Sequence, residues 1–505
     1  MLKTTTNQNL LATVFITGAA VLIIEITAVR ILSPVYGSSL YVLSSILTII
    51  LTALSLGYWY GGKKADQETS VNNLLNHLFY MIAVSGLFII GLLIPKELIL
   101  PYIDSSTYPK IGTLIISFGL FFTPTLLLGI VSPYVIKIQS LSNPIEKIGT
   151  VVGATFFWGT AGSIFGSLIT GFFLIPHLGI IRTIILVGII LVILGLIMPL
   201  REGEPLKKKL VTSILLITVS LIFILNFIKN HQDNSYIYSG EGIYSSIKVK
   251  DVVFNNRPAR LLLLDTNYSS AIFLTSKSLV FNYTKTVLLY KKLLPEATNV
   301  LVLGGGAYTI PRTLTELDPN LNIDVVEIEP SLFKLAQTYF DLTNVSKITD
   351  YPLDARVFFK NNSTKKYDVI FSDAFGTDLA TPFHLTTKEF YKLTAENLSP
   401  DGIFFLNIIA KPETDQPSLT GSTLKTLKAI FPVVKTFSFT NDKTLQQNIV
   451  FIARNSTLPI ELTPWDLTII DRNLTELIID TDYLNNELVL TDDKAPIEYL
   501  VTKER

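Results

Sequence analysis

The rhythm of apolar positions divides the chain in two. Up to about residue 230 they form near-continuous runs, close to 10 to 32, 40 to 60, 74 to 94, 111 to 136, 149 to 175, 178 to 199 and 210 to 228. A helix needs about 20 residues to cross the ~30 Å hydrocarbon of a bilayer, so these runs predict about seven spans. From about His231 apolar and polar positions alternate instead. Segments 244–251, 259–265 and 269–274 have the period of strands, and Asn255 and Asn256 mark a turn between the first two. Beyond residue 290 the pattern reads strand 300–303, a helix with Pro311 in its first turn, strand 323–326, helix 331–340, strand 367–372, helix 387–397, strand 402–409, helix 422–430 and paired strands 433–439 and 448–453. Such alternation predicts a parallel sheet covered on both faces, with the last two strands as an antiparallel edge. The expected domains are a transmembrane domain at 1–230, a small antiparallel β module at 231–290 and an α/β domain at 291–505.

The opening residues carry no small-residue cleavage signature, so the first run is expected to be a retained span. Glu25 and Arg30 lie in or near it; a charge in lipid is costly, and a structural pairing of Glu25 with a neighbouring helix is the favoured reading. Gly149 with Gly153 and Gly162 with Gly166 have small-xxx-small spacing, which predicts close helix packing. Pro124 and Pro133 are expected to kink the fourth span.

Composition narrows the class. Only 16% of the residues are charged, which with the apolar first half points to an integral membrane protein, expected in the plasma membrane. The formal net charge is zero and gives no support for a nucleic-acid partner. Cysteine is absent, which excludes disulfides and thiolate metal sites, and the four histidines show no metal-ligand spacing, so no metal is expected.

The chemistry concentrates around residues 299–330. An apolar strand enters Gly304, Gly305 and Gly306, a helix follows, and a second strand ends on Glu327. Glycines admit a ligand where a Cβ would clash, and a carboxylate at the next strand tip can accept both ribose hydroxyl protons. Glu327 follows Gly304 by 23 positions, close to the roughly 20 of a nucleotide-binding Rossmann unit. In an open α/β sheet ligands lie beyond the carboxyl ends of the strands, where Asp354 and Asp373 also fall. On a nucleoside ligand the glycine turn would admit the ribose or amino-acid part and Glu327 would hold the ribose. Asp354 with the Ala355 backbone would read the adenine edge, and Asp373 would stand nearest the reacting carbon.

The pieces VLVLGGGAYTIPR, DVVEIEP, PLDARVFF, YDVIFSDAF, PFHLTTKEFY and LSPDGIFFLNII, followed by LTDDKAPIEYL, resemble the spermidine synthase (polyamine aminopropyltransferase) family, in the form fused to an N-terminal multi-pass membrane domain. The resemblance covers most of residues 235–505. It implies a Rossmann-like domain of the class I S-adenosylmethionine-methyltransferase type. The implied reaction moves an aminopropyl group from decarboxylated S-adenosylmethionine to an amine or polyamine, releasing methylthioadenosine, with Asp373 as the catalytic carboxylate. There are departures. Soluble members carry an acid after the glycines, where this chain has Ala307 and Tyr308; their Y-H-E is here Tyr283, Thr284, Lys285; their D-[ST]-[ST]-D-P loop begins here as Asp373, Ala374, Phe375.

Asp378, His384, Tyr268 and Asp493 are further candidates for the substrate pocket, each with a plainer reading as a solvated loop acid, a loop hydrogen bond, a core aromatic or a turn cap. Asp492 shares the last of these. Intact S-adenosylmethionine as donor, in a methyltransferase or another adenosyl-sulfonium transferase, is one alternative. A transporter or membrane sensor regulated by an adenosyl-binding domain is another. The bilayer is the expected partner beside the small amine, and a homo-oligomer is left open. Counted as seven spans, the basic residues place the N-terminus inside and the C-terminal domain outside. An adenosylated donor is normally supplied from inside, so the domain's side is left open.

Overall fold

The structure is a computed structural model that describes residues 2–37, 39–98, 100, 109–142, 147–197, 235–374, 382–412, 414–440, 442–463, 474–479 and 481–504. The apolar run 210–228 and Asp378 lie outside these residues. The chain falls into two compact units, Met1–Asn234 and Ser235–Arg505.

The first unit is helical: α1 (Leu2–Tyr36), α2 (Leu40–Asp66), α3 (Val71–Gly91), α4 (Pro109–Gly129), α5 (Val131–Ser142), α6 (Ile148–Ile169) and α7 (Ile175–Ile197). Ser39 and Ser70 cap α2 and α3, their hydroxyls accepting from the N–H groups of Val42 and Asn73. Five stretches among the described residues are long and apolar enough to cross a membrane: Asn7–Tyr36, Leu40–Asp66, Val71–Pro95, Ile111–Leu141 and Ile148–Leu196. The runs expected near 149 to 175 and 178 to 199 are joined in the last of these. It passes through a π-helical turn at Thr170–Leu174 and leaves helical geometry at Gly179, whose φ is 74°.

Glycine seams set the packing. A Cβ on Gly162 or Gly166 of α6 would overlap the carbonyls of Phe15 or Ala19 in α1. Gly57 and Gly129 bring α2 and α4 together, and Gly86, Gly188 and Gly195 do the same for α3 and α7. Gly149 and Gly153 share the spacing but face open space, so the expected packing holds for one pair and not the other. Pro124 sits inside α4 with its carbonyl accepting from Ser85 Oγ at 2.9 Å. Pro133 lies in the first turn of α5, where its missing N–H removes no helix bond. Glu25 is half-buried, and no ion pair to it is present among the described residues.

The second unit opens with an antiparallel sheet of β1 (Tyr238–Glu241), β2 (Ser246–Phe254), β3 (Arg257–Leu264) and β4 (Asn267–Phe273). Asn255 and Asn256 both take positive φ, as a two-residue hairpin requires between Phe254 and Arg257. One face, with Ile247, Val249, Leu262 and Ile272, joins the core of the larger sheet.

That sheet contains β5 (Asn299–Leu303), β6 (Asn322–Val326), β7 (Ile348–Tyr351), β8 (Tyr367–Ser372), β9 (Leu398–Ala410), β10 (Val433–Ser438), β11 (Gln447–Arg454) and β12 (Thr475–Glu476), in the order β12-β10-β11-β9-β8-β5-β6-β7. The strands from β5 to β9 are parallel, and β11 inserts antiparallel between β9 and β10. Helices α8 (Thr309–Leu317), α9 (Ser331–Tyr339), α10 (Ala355–Asn361), α11 (Lys388–Asn397) and α12 (Leu419–Lys428) cover it. The central strands are buried throughout, Val300 to Leu303 among them, as a sheet covered on both faces demands. The strand order reverses at β5, between β6 on one side and β8 on the other. The carboxyl tips there form the crevice such a sheet offers a ligand.

Candidate active site

Four adjacent strand tips build the site: β8, β5, β6 and β7. At about 4.8 Å per strand they span about 14 Å, the scale of a nucleoside with a short side chain. The glycine turn leaves β5 with Gly304 at φ 91°, where a Cβ would lie 2.6 Å from the Asp373 carbonyl oxygen. Gly305 and Gly306 donate their N–H groups to Glu327 Oε2 at 2.8 and 3.0 Å, and Glu329 N–H donates to Glu327 Oε1 at 2.9 Å. Burial raises the Glu327 carboxyl above its ordinary range, against the pull of these donors. Gly304, Gly305, Gly306, Glu327 and Asp373 are thus brought together.

Asp373 directly follows β8 and is half-buried. Asn407 Nδ2 donates to its Oδ1 at 2.8 Å, and the Tyr283 hydroxyl also bonds the carboxyl. Desolvation pushes the carboxyl up to about 7 despite both donors. Neither Asn407 nor the bond from Tyr283 was expected from the pattern. The available signal was a polar residue inside the apolar run of β9, since a buried amide demands a partner.

Asp354 is the N-cap of α10, its Oδ1 accepting from the N–H groups of Arg356 at 2.9 Å and Val357 at 3.1 Å. Its Oδ2 pairs with His384 Nε2 at 2.9 Å, and this bond holds the carboxyl below its usual range. Each Asp354 oxygen therefore already has a donor, and Ala355 begins the capped helix. Arg356 binds the backbone carbonyl of His384 and the carboxylate of Asp492, which also accepts from Thr387 Oγ1 at 2.7 Å. Asp492, though exposed like the neighbouring Asp493, is thus tied to α10 and α11.

Tyr268 is 60% exposed on β4 with Lys250 Nζ over its ring, neither core nor at the glycine turn. The following residues are what meet the turn: Ser270 Oγ accepts from Ala307 N–H at 3.1 Å, and a Cβ on Gly306 would strike the same oxygen. Tyr308, at φ 55°, sends its hydroxyl to Asp350 Oδ1 at 2.5 Å, tying the turn to β7. Among the described residues, no group of three or more His, Asp or Glu side chains is arranged to hold a metal.

Residues 283–462 match the family model described as spermine/spermidine synthase domain. The second unit carries a spermidine-synthase-like domain. Over 179 residues the chain is 32% identical to the probable polyamine aminopropyl transferase of Bifidobacterium longum, covering 35% of this chain and 38% of that protein. Over 133 residues it is 34% identical to the polyamine aminopropyltransferase of Vibrio vulnificus, covering 26% and 44%. The chain thus spans about two fifths of the length of these relatives. A longer match, 21% identical over 404 residues and 77% of each chain, is to polyamine aminopropyltransferase 2 of Aquifex aeolicus. The spermidine-synthase-like domain alone is too short to supply that length, so the match extends into the helical unit. A donor related to S-adenosylmethionine fits the fold of this domain. In the spermidine-synthase-like domain Tyr283 bonds Asp373, and Ala307, buried against Ser270, itself carries no charge.

Proposed function

We propose that the protein is a membrane-anchored transferase that moves an aminopropyl group from decarboxylated S-adenosylmethionine to a small amine, releasing methylthioadenosine. The observation that supports this reading is Asp373: a half-buried carboxyl pushed up to about 7, held by Tyr283 and Asn407 beside the glycine turn that meets Glu327. The acceptor nitrogen attacks the carbon beside the sulfonium. The carbon–sulfur bond breaks, its electron pair leaves sulfur neutral, and the nitrogen must shed a proton. Free amines have pKa values near 10, so a carboxylate of raised basicity is suited to take that proton. The crevice contributes alignment of nitrogen, carbon and sulfur. Glu327 would clasp the ribose, and the Ala355 N–H with the second lone pair of Asp354 Oδ2 would meet the adenine.

One feature favours a second reading. The uncharged Ala307 does not repel the carboxylate of intact S-adenosylmethionine, which would make the reaction a methyl transfer. Incubation with each donor and a panel of amines separates the two. Methylthioadenosine release from the decarboxylated donor is the expected outcome, and adenosylhomocysteine release from the intact donor alone would replace it with methyl transfer.

A further inference from the structure

Two asparagines lie side by side in the sheet, one of them where it calls for an apolar side chain. Asn407 lies between Leu406 and Ile408 in β9 and is 1% exposed, and Asn448 lies in β11 beside the run Ile449, Val450, Phe451. A buried amide is costly unless paired, so Asn407 must be held by something, and the half-buried Asn448 is within reach of it. The register supplies the partner. Ser372 of β8 stands opposite Leu406 of β9, and Asn407 stands opposite Val450 of β11. Asp373, Asn407 and Asn448 therefore fall in a row across three neighbouring strands, the last two as diagonal neighbours. The hydrogen bonds run one way along that row: Asn448 Nδ2 donates to Asn407 Oδ1 at 3.1 Å, and Asn407 Nδ2 donates to Asp373 Oδ1 at 2.8 Å.

An amide is an oriented group. With its oxygen engaged by Asn448, Asn407 can present only its NH2 to the carboxylate; turned over, it would set oxygen against oxygen. Among the described residues, the groups facing the Asp373 carboxyl are this amide and the Tyr283 hydroxyl. We infer that Asn448, acting through Asn407, fixes the orientation of Asp373 so that its remaining lone pairs meet the acceptor amine, which makes both asparagines positioning residues. The inference rests on the reading of Asp373 as the proton acceptor.

Asn407→Leu tests it, because leucine has nearly the same volume and suits the strand. The substitution leaves the Asp373 oxygen and the Asn448 amide without their partner, which costs stability. The carboxylate thereby loses a donor that favours its charged form. The expected result on the full chain is a lower melting temperature with unchanged methylthioadenosine affinity. The acid limb of the rate profile should shift up by about one pH unit, with a roughly tenfold loss of rate below it. Asn448→Ala should shift the limb in the same direction by less. Wild-type limbs in both variants, with Asp373→Asn inactive, would overturn the positioning role and leave the proton acceptor standing. Rate and melting temperature falling together without a shifted limb would overturn it as well, in favour of a structural role. Wild-type turnover in Asp373→Asn would remove the underlying reading, and this inference with it.

Discussion

At the scale of single residues, Asp373 carries opposite consequences for rate and stability. As a base it must be ionised, so turnover is expected to rise with pH through about 7 and to lose that limb in Asp373→Asn. The variant should keep donor affinity while turnover falls by about 10²–10⁴-fold, the usual weight of a general base. Stability moves the other way. The folded pKa lies above the ~3.9 of an unfolded aspartate, so the contribution is fully present below about 4 and is lost as pH rises through about 7. That difference corresponds to about 4 kcal/mol. Asp373→Asn should therefore raise the melting temperature more at pH 8 than at pH 5, and an equal effect at both would contradict the burial of a charge. Glu327→Gln probes the other end of the crevice. Glutamine keeps the size and loses the charge, so methylthioadenosine should bind about tenfold or more weakly by calorimetry, from the ~1.5–3 kcal/mol of a charge-assisted bond. Unchanged affinity would remove Glu327 from the ribose.

At the scale of elements, Gly304 joins the turn to the tip of β8. Its φ of 91° and the 2.6 Å from a would-be Cβ to the Asp373 carbonyl mean that Gly304→Ala must move either the turn or the base. Donor affinity and turnover should fall together, a pattern that neither Asp373→Asn nor Glu327→Gln produces; a loss confined to one would place the turn away from the reacting centre. The same elements show what the sequence could reveal. The strand read at 367–372 coincides with β8, Asn255 and Asn256 form the expected hairpin turn, and Thr387 and Ser418 cap helices close to the expected boundaries. β1, β7 and β12 went unread because two to four residues carry no period. The spacing of Gly149 and Gly153 was legible but not the direction in which it faces, since period fixes a stripe and only packing decides what lies against it. Glycines and acids at strand tips announce a crevice; the bonds of Asp373 to Tyr283 and Asn407 come from segments distant in sequence, which no local pattern encodes.

At the scale of the whole molecule, one residue in the helical unit bears on how many times its long apolar helices could cross a bilayer. Ile148–Leu196 is 49 residues long, or about 74 Å at 1.5 Å per residue, more than twice the ~30 Å of hydrocarbon. The break at Gly179 divides it into parts of about 46 Å and about 26 Å, each near or above a single crossing. α6 runs along α1 while α7 runs along α3, as two separate spans would. The break is thus expected at a membrane surface, with the exposed His177 beside it in water. A chain without cysteine has no background thiols, so His177→Cys and Lys147→Cys can each be probed with a membrane-impermeant maleimide in oriented vesicles. The expected outcome is labelling from opposite sides. With the run 210–228 as a further crossing, the chain would then leave the membrane on the face opposite the one where it entered. If His177→Cys is silent from both sides, the break lies within the bilayer, the stretch crosses once, and the parity reverses. An adenosyl donor made inside the cell could then reach the domain directly if the N-terminus is cytoplasmic.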